Sequence, residues 1–393
     1  MLARLEQTTG ILRRAAGLLV LIAAPAMPAP RAVDARVALQ RQQRAEASRP
    51  RDSEDRELIE RTHREEGEAV LALADDAMAG KQVPSDFAVQ WQNDFVKAQR
   101  GTFVPFTLTI DATPLSKPSA LVYVRARRRE NGEAGAKRGR TRESRGRTGV
   151  GDASYPVDAI FPVALTPVPG QSIRISRGFS VQPGEYDVFV VMRERVEPGA
   201  SKPQPKAAVI RQPLNVPDFW LGELTTSSVI VADRLMTLTE PIPADQLAER
   251  PYAVGRSEIT PAVDHRFRRD EELIVVFLVY NPMVTTERQF DVKVEYHFFR
   301  KVDAEGQPEP AGEQPTHSST RAGEKYFNHT DPQRFSPALM GSAFDPRSGE
   351  PLMAGQVVPL AGFQEGDYRL ELQVIDLLSG KSISRDVLFT VGS

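Results

Sequence analysis

Cysteine is absent from all 393 residues. That excludes a disulfide framework, a zinc–thiolate site, an iron–sulfur cluster and a cysteine nucleophile. A net charge excess is missing too, with 50 Lys+Arg against 52 Asp+Glu. A uniformly basic nucleic-acid binder is therefore ruled out. No apolar run reaches the roughly 20 residues that a membrane-spanning helix needs. Gly-x-Ser-x-Gly, Gly-x-x-x-x-Gly-Lys-Ser/Thr, Gly-x-Gly-x-x-Gly and His-Glu-x-x-His do not occur. Sequence support is thus missing for an α/β-hydrolase nucleophile, a phosphate-cradling loop, a dinucleotide site and a zincin helix. What the chain does hold is 31 prolines and 27 glycines in a length sufficient for two or three domains.

The first residues read as an export signal. Arg4, Arg13 and Arg14 precede an uncharged, mostly apolar run, Ala15 to Met27, and Ala24-Pro25-Ala26 offers a small-x-small cleavage site. The expected signal peptide is 1–26, and the mature chain is expected in the periplasm or outside the cell, without a membrane span. From Arg31 to Val70, nine arginines and ten acids leave little for a core. Residues 31–51 read as a polar linker. Asp52 begins a helical pattern, with acids at 54, 55 and 57 suited to the positive end of a helix dipole. Leu58, Ile59, Val70, Leu73 and Ala77 form a thin apolar stripe, and Gly80 and Pro84 end it. A helix striped this thinly reads as a solvated charged element closing segment 27–84.

Beyond it the pattern changes to period two. Phe106, Leu108 and Ile110 alternate with threonines, and Phe290, Val292, Val294, Tyr296 and Phe298 share one strand face. Tyr368 to Val374 and Asp386 to Val391 alternate likewise, whereas Ile274 to Tyr280 is apolar throughout and reads as a central strand covered on both faces. Pro183-Gly-Glu-Tyr-Asp-Val matches Glu365-Gly-Asp-Tyr-Arg-Leu as a weak internal repeat. A tyrosine opening a strand after a glycine turn suggests the tyrosine corner of immunoglobulin-like sandwiches. The expected fold is mainly β: two tandem Ig-like antiparallel sandwiches, 85–216 and 217–393, behind the charged helix.

Candidate binding residues are few. Arg125 to Arg147 carries ten Lys+Arg and three Glu and reads as a basic loop, with Arg127, Arg128, Arg129, Lys137, Arg138 and Arg140 as its candidate contacts. It has no aromatic residue for base stacking, so an anionic surface suits it better than nucleic acid. A second loop, Asp303 to Gly323, is rich in Pro, Gly, Glu and Ser. Trp91 continues a strand alternation and reads as core, whereas Trp220 follows the domain break and reads as a plug between domains. The five histidines lack metal spacing and read as surface residues. Asp264, Asp270, Glu271 and Glu272 read as a polar turn. No cofactor, metal or catalytic residue is assigned.

Three stretches carry a family likeness. They are Val104 to Asp111, Tyr252-Ala-Val-Gly-Arg256 through Phe267-Arg-Arg269 to Val279-Tyr-Asn281, and Gly366 to Asp376 through Ser379-Gly-Lys-Ser382 to Val391. Together they resemble the Ig-like segments that follow von Willebrand factor A-related domains in uncharacterised secreted proteins of acidobacterial type. The resemblance implies an extracytoplasmic sandwich module. The Asp-x-Ser-x-Ser metal motif of the A domain is missing, so its metal-dependent adhesion is not implied. The expected function is non-catalytic interaction with a protein or cell-envelope component. The rival is a secreted carbohydrate-binding module or hydrolase, in which Trp220 and the 264–272 acids would share a groove.

Overall fold

The computed structural model describes residues 53–129, 155–168, 170–196, 204–302, 320–341 and 344–392. The expected signal peptide, the polar linker, the Asp52 cap and Lys137, Arg138 and Arg140 lie outside these residues, as does most of 303–323.

The chain is mainly β. Helix α1 (Ser53–Met78) precedes eight strands: β1 (Val89–Asn93), β2 (Val96–Lys97), β3 (Thr102–Asp111), β4 (Ser119–Arg128), β5 (Val157–Ala164), β6 (Ser172–Val181), β7 (Gly184–Glu194) and β8 (Ala207–Val216). They form two antiparallel sheets. In one, β3 lies between β6 and the β1/β2 pair; the other runs β5-β4-β7-β8. Phe106, Leu108 and Ile110 face Val122, Val124, Val188 and Val190 in the core between them. Trp91 is half-buried and stacks on Phe106 at 4.3 Å between ring centroids.

The second sandwich repeats this plan. Its strands are β9 (Thr225–Thr226), β10 (Ile230–Thr237), β11 (Ala253–Val254), β12 (Ser257–Pro261), β13 (Arg266–Arg268), β14 (Glu272–Tyr280), β15 (Val292–Lys301), β16 (Glu324–Phe335), β17 (Leu352–Pro359), β18 (Gly366–Asp376) and β19 (Ser382–Gly392). One sheet centres on β14 between β17 and the β9/β10 pair; the other runs β16-β15-β18-β19, with β13 added in parallel. The alternation from Phe290 to Phe298 places all five of these side chains in one core with Tyr368, Leu370, Leu372 and Val374.

The internal repeat has a structural basis. The Tyr186 hydroxyl donates to the Gln182 carbonyl at 2.9 Å, and the Tyr368 hydroxyl to Gln364 at 2.8 Å. These are the tyrosine corners expected from the sequence. Gly184 and Gly366 adopt φ of 142° and 147°. An arginine lies against each glycine from the neighbouring strand: Arg128 Nη2 donates to Pro183 O at 3.1 Å and Arg300 Nη2 to Glu365 O at 2.8 Å. A Cβ on Gly184 would stand 3.0 Å from Arg128 Nη2. Glycine is thus required both for the backbone angle and for the room.

The continuous apolar run of β14 is explained by covers on both faces, with Ile274 and Val276 packed on Ile230, Tyr252 and Ile259 of the same sandwich and the end of the strand covered at the joint between the sandwiches. Leu273, Val275, Phe277 and Val279 face their own core. The alternate residues Leu278 and Tyr280 pack with Phe219 against Phe95 and Val96 of the first sandwich. The joint is also hydrogen-bonded: Phe95 N donates to Ser228 Oγ at 2.9 Å, Ser228 N to Phe95 O at 3.0 Å, and Lys97 N to the Tyr280 hydroxyl at 3.1 Å.

Helix α1 corrects the expectation of a solvated element. Val70 and Ala74 are fully buried and pack on Leu121, Tyr123 and Val191, the outer face of β4 and β7. Glu66, also buried, accepts from Arg195 Nε, Arg195 Nη2 and Val196 N at 2.7–3.1 Å. Leu71 and Leu73 pack at the margin of this contact, and the ion pair satisfies the carboxylate buried beside it. The covering helix also explains why β4 is buried on both faces from Ala120 to Ala126.

Candidate functional site

The basic segment does not start as a loop. Arg125 to Arg128 belong to β4, and Arg125 is buried, with Nη1 2.6 Å from Asp75 of α1. Strand alternation then divides the neighbours. Arg128 turns toward Gly184, while Arg127 and Arg129 lie on the outer face with Arg211 of β8. These three converge on one buried carboxylate, Asp187 of β7. Arg129 Nη2 is 2.6 Å from Oδ1, Arg211 Nη2 is 3.0 Å from Oδ2 and Arg127 Nη2 is 3.6 Å from Oδ2. Burial pushes the Asp187 carboxyl up, but the hydrogen bonds and charges of Arg129 and Arg211 outweigh it and hold the group below its ordinary value. The guanidiniums of Arg127 and Arg211 also lie over the Phe189 ring, at 5.6 and 5.9 Å.

The corresponding face of the second sandwich is built the other way round. Arg369, 1% exposed as a side chain, is the hub. Its guanidinium stacks on Phe299 at 4.2 Å and reaches Glu324 at 2.7 Å, Glu371 at 2.8 Å and Asp386 at 2.9 Å. His297 lies beside this cluster and is buried, which corrects its reading as a surface histidine. Burial lowers its proton affinity more than Glu295, 3.4 Å away, raises it. Alternation told which face His297 occupies; it could not tell that the outer face of this sheet is closed.

Trp220 does not plug the joint. Phe219 does, at a tilted angle to Tyr280 with ring centroids 5.3 Å apart. Trp220 lies at the joint's edge with 52% of its surface exposed. Its indole N–H donates to Gly101 O at 3.2 Å, and Lys97 Nζ stands 4.3 Å over the ring. The 264–272 acids are elsewhere. Asp270 and Glu271 pair with Arg268 immediately before the start of β14, whereas the Trp220–Lys97–Tyr280 group marks its end. Nine extended residues separate the two by roughly 27 Å. The shared groove that the carbohydrate or hydrolase reading needs is not formed by these residues.

One open cleft of about 240 Å³ is lined by Ser176, Tyr252, Arg250 and Glu258 at the joint. Another, of about 140 Å³, is lined by Asp264, His265, Lys301 and Asp367. Among the described residues, no group of three or more His, Asp or Glu has metal-binding geometry.

Exposed apolar side chains give the clearest grouping. Among the described residues, seven of the twelve large ones lie between strands at one end of the second sandwich: Trp220, Leu221, Met283, Leu377 and Leu378 on loops, and Leu339 and Met340 on a one-turn helix, Pro337–Met340, within a fourth. Four loops carry them, and hydrogen bonds and packing tie the loops together. Asn281, at a left-handed φ of 56°, donates through Nδ2 to Phe219 O and Glu223 O at 3.1 and 3.0 Å. The buried Asp376 carboxylate accepts Met283 N at 2.8 Å and Leu378 N at 3.1 Å. Leu377 N donates to Asp291 O at 2.8 Å, and Phe344 packs on Phe290 with centroids 5.8 Å apart. Sequence reading missed this crown, because its members are scattered over 158 positions and each is an ordinary exposed residue by itself.

No family model matches the chain, and no curated protein does. Among solved structures it is similar to Salmonella α-2-macroglobulin reacted with methylamine, at 13% identity and a TM-score of 0.20, over 79% of this chain and 17% of that one. It is similar to Escherichia coli α-2-macroglobulin activated by porcine elastase at 12% identity and a TM-score of 0.17, over 79% and 24% of the two chains. A structure described as pT26-6p follows at 8% identity and a TM-score of 0.17, over 84% and 69%. The chain thus spans less than a quarter of the α-2-macroglobulins it matches. These likenesses are too distant to transfer an activity or a site.

Proposed function

We propose that this chain is a non-catalytic, extracytoplasmic interaction protein that engages a protein or cell-envelope component through loops held on a rigid double sandwich. The observation that carries the proposal is the crown of seven exposed apolar side chains on four mutually bonded loops. Exposed apolar side chains grouped at one end in this way cost solubility and mark interaction sites on soluble proteins. Loops braced by polar anchors such as half-buried Asn281 and buried Asp376 lose little entropy on binding.

The test compares the intact exported chain with a Leu221→Ser/Leu339→Ser/Leu378→Ser variant in mild crosslinking from envelope extracts. A partner recovered with the parent chain and lost with the variant supports the reading. Equal recovery with both, or turnover in a hydrolase screen without any partner, overturns it.

A further inference from the structure

The outer faces of the two β-sandwiches differ in one respect that the fold does not require. In the second, three acids close around Arg369; Glu371 is itself buried and Glu324 half-buried. In the first, three guanidiniums share the single carboxylate of Asp187 and remain 43%, 39% and 58% exposed at Arg127, Arg129 and Arg211. Glu185 is the other acid acting on Arg129, so the cluster keeps at least one positive charge without a partner among the described residues. Like charges gathered on one carboxylate repel one another, and a sandwich has no structural need for the third.

We propose that this face, between the edge of α1 and β8, is a binding site for the oxyanion groups of an anionic polysaccharide. Asp187 orients the guanidiniums, and their outward N–H groups present paired donors to a carboxylate or sulfate. Arg127, in β4, and Arg129, just past its end, are two residues apart, their backbone positions hence about 6.8 Å apart, and Arg211 stands two strands away. Such a row of fixed charges suits a linear polyanion better than one small anion. Phe189 lies 1% exposed beneath Arg127 and Arg211, so the ring these arginines cover is not free for a base to stack on. The site lies on the first sandwich, away from the apolar crown, and stands or falls independently of it.

The experiment measures binding of the full chain to a sulfated glycan (heparin), a carboxylated one (polygalacturonate) and duplex DNA across a salt series starting at about 50 mM. The Arg127→Gln/Arg211→Gln variant is measured alongside. It retains Arg129 on Asp187, so the buried carboxylate stays paired, and circular dichroism checks its fold. Expected is glycan binding that falls with salt, exceeds DNA binding, and weakens roughly tenfold or more in the variant with a shallower salt slope. Preference between the two glycans distinguishes sulfate from carboxylate as the recognised group. Absence of glycan binding, binding unchanged in the folded variant, or DNA binding of equal strength would each overturn the proposal.

Discussion

Asp187 and Arg369 each directly follow the corner tyrosine of their sandwich, 182 positions apart, and carry opposite charges at equivalent places. The inversion extends to their partners, since three arginines surround the aspartate and three acids surround the arginine. Their costs of removal should therefore differ. Arg369→Met leaves buried Glu371 and half-buried Glu324 without their cation and is expected to destabilise the second sandwich by about 3–5 kcal/mol. Asp187→Asn leaves its arginines partly solvated, and about 1 kcal/mol is expected. Denaturant titration of each variant against the parent chain measures both. Equal losses would contradict the assignment of a closed hub and an open one.

Removing a corner hydroxyl breaks one hydrogen bond to backbone and leaves a carbonyl short of a donor. Tyr186→Phe and Tyr368→Phe should each cost about 1 kcal/mol. Gly184→Ala and Gly366→Ala should cost more, because the backbone angle is unfavourable to alanine and the new Cβ meets the arginine laid across the turn. Thermal unfolding with probes in each sandwich (Trp91 in the first) checks both the order and the location of the loss.

Asp94 lies between β1 and β2, buried against the second sandwich. Burial raises its carboxyl to about 7, although the Tyr252 and Ser228 hydroxyls alongside favour the charged form. Oδ2 has no hydrogen-bond partner. An unfolded aspartate ionises near 3.8, so between that pH and about 7 the folded chain holds the extra proton. Stability should therefore fall as pH rises through that window, with the loss complete above about 7 and amounting to roughly 4 kcal/mol at most. Asp94→Asn should remove this fall, leaving a profile that rises toward the ordinary histidine range because buried His297 is held neutral in the folded chain. Calorimetry from pH 4 to 8 on both proteins decides it; a parent profile that rises across the window would refute the assignment.

Helix α1 is held by a small apolar contact and two ion pairs, Glu66 with Arg195 and Asp75 with buried Arg125. Val70→Asp/Ala74→Asp places two charges against Leu121, Tyr123 and Val191 and should release the helix from the sheet. Limited proteolysis should then cut within 53–78 much faster, while near-ultraviolet signals from the first sandwich persist. Loss of the whole sandwich instead would mean that α1 is integral to its folding.

Much of this fold was legible in the sequence. Period two from Phe290 to Phe298 specified both a strand and its buried face, because that period belongs to the pleat itself. The Gly-acid-Tyr repeat gave both tyrosine corners, since that turn needs glycine and its hydroxyl finds a carbonyl four residues away. Tertiary structure decided whatever depends on residues far apart in the chain. It brought Arg211 to Arg127 and Arg129 through Asp187, closed the outer face over His297, laid Val70 on Tyr123 and gave the end of the even side of β14 a neighbouring domain to cover it. It also gathered Trp220, Met283, Leu339 and Leu378 at one end. Local periodicity records which face a side chain occupies; only packing between distant segments determines whether that face meets solvent, a helix or another sandwich.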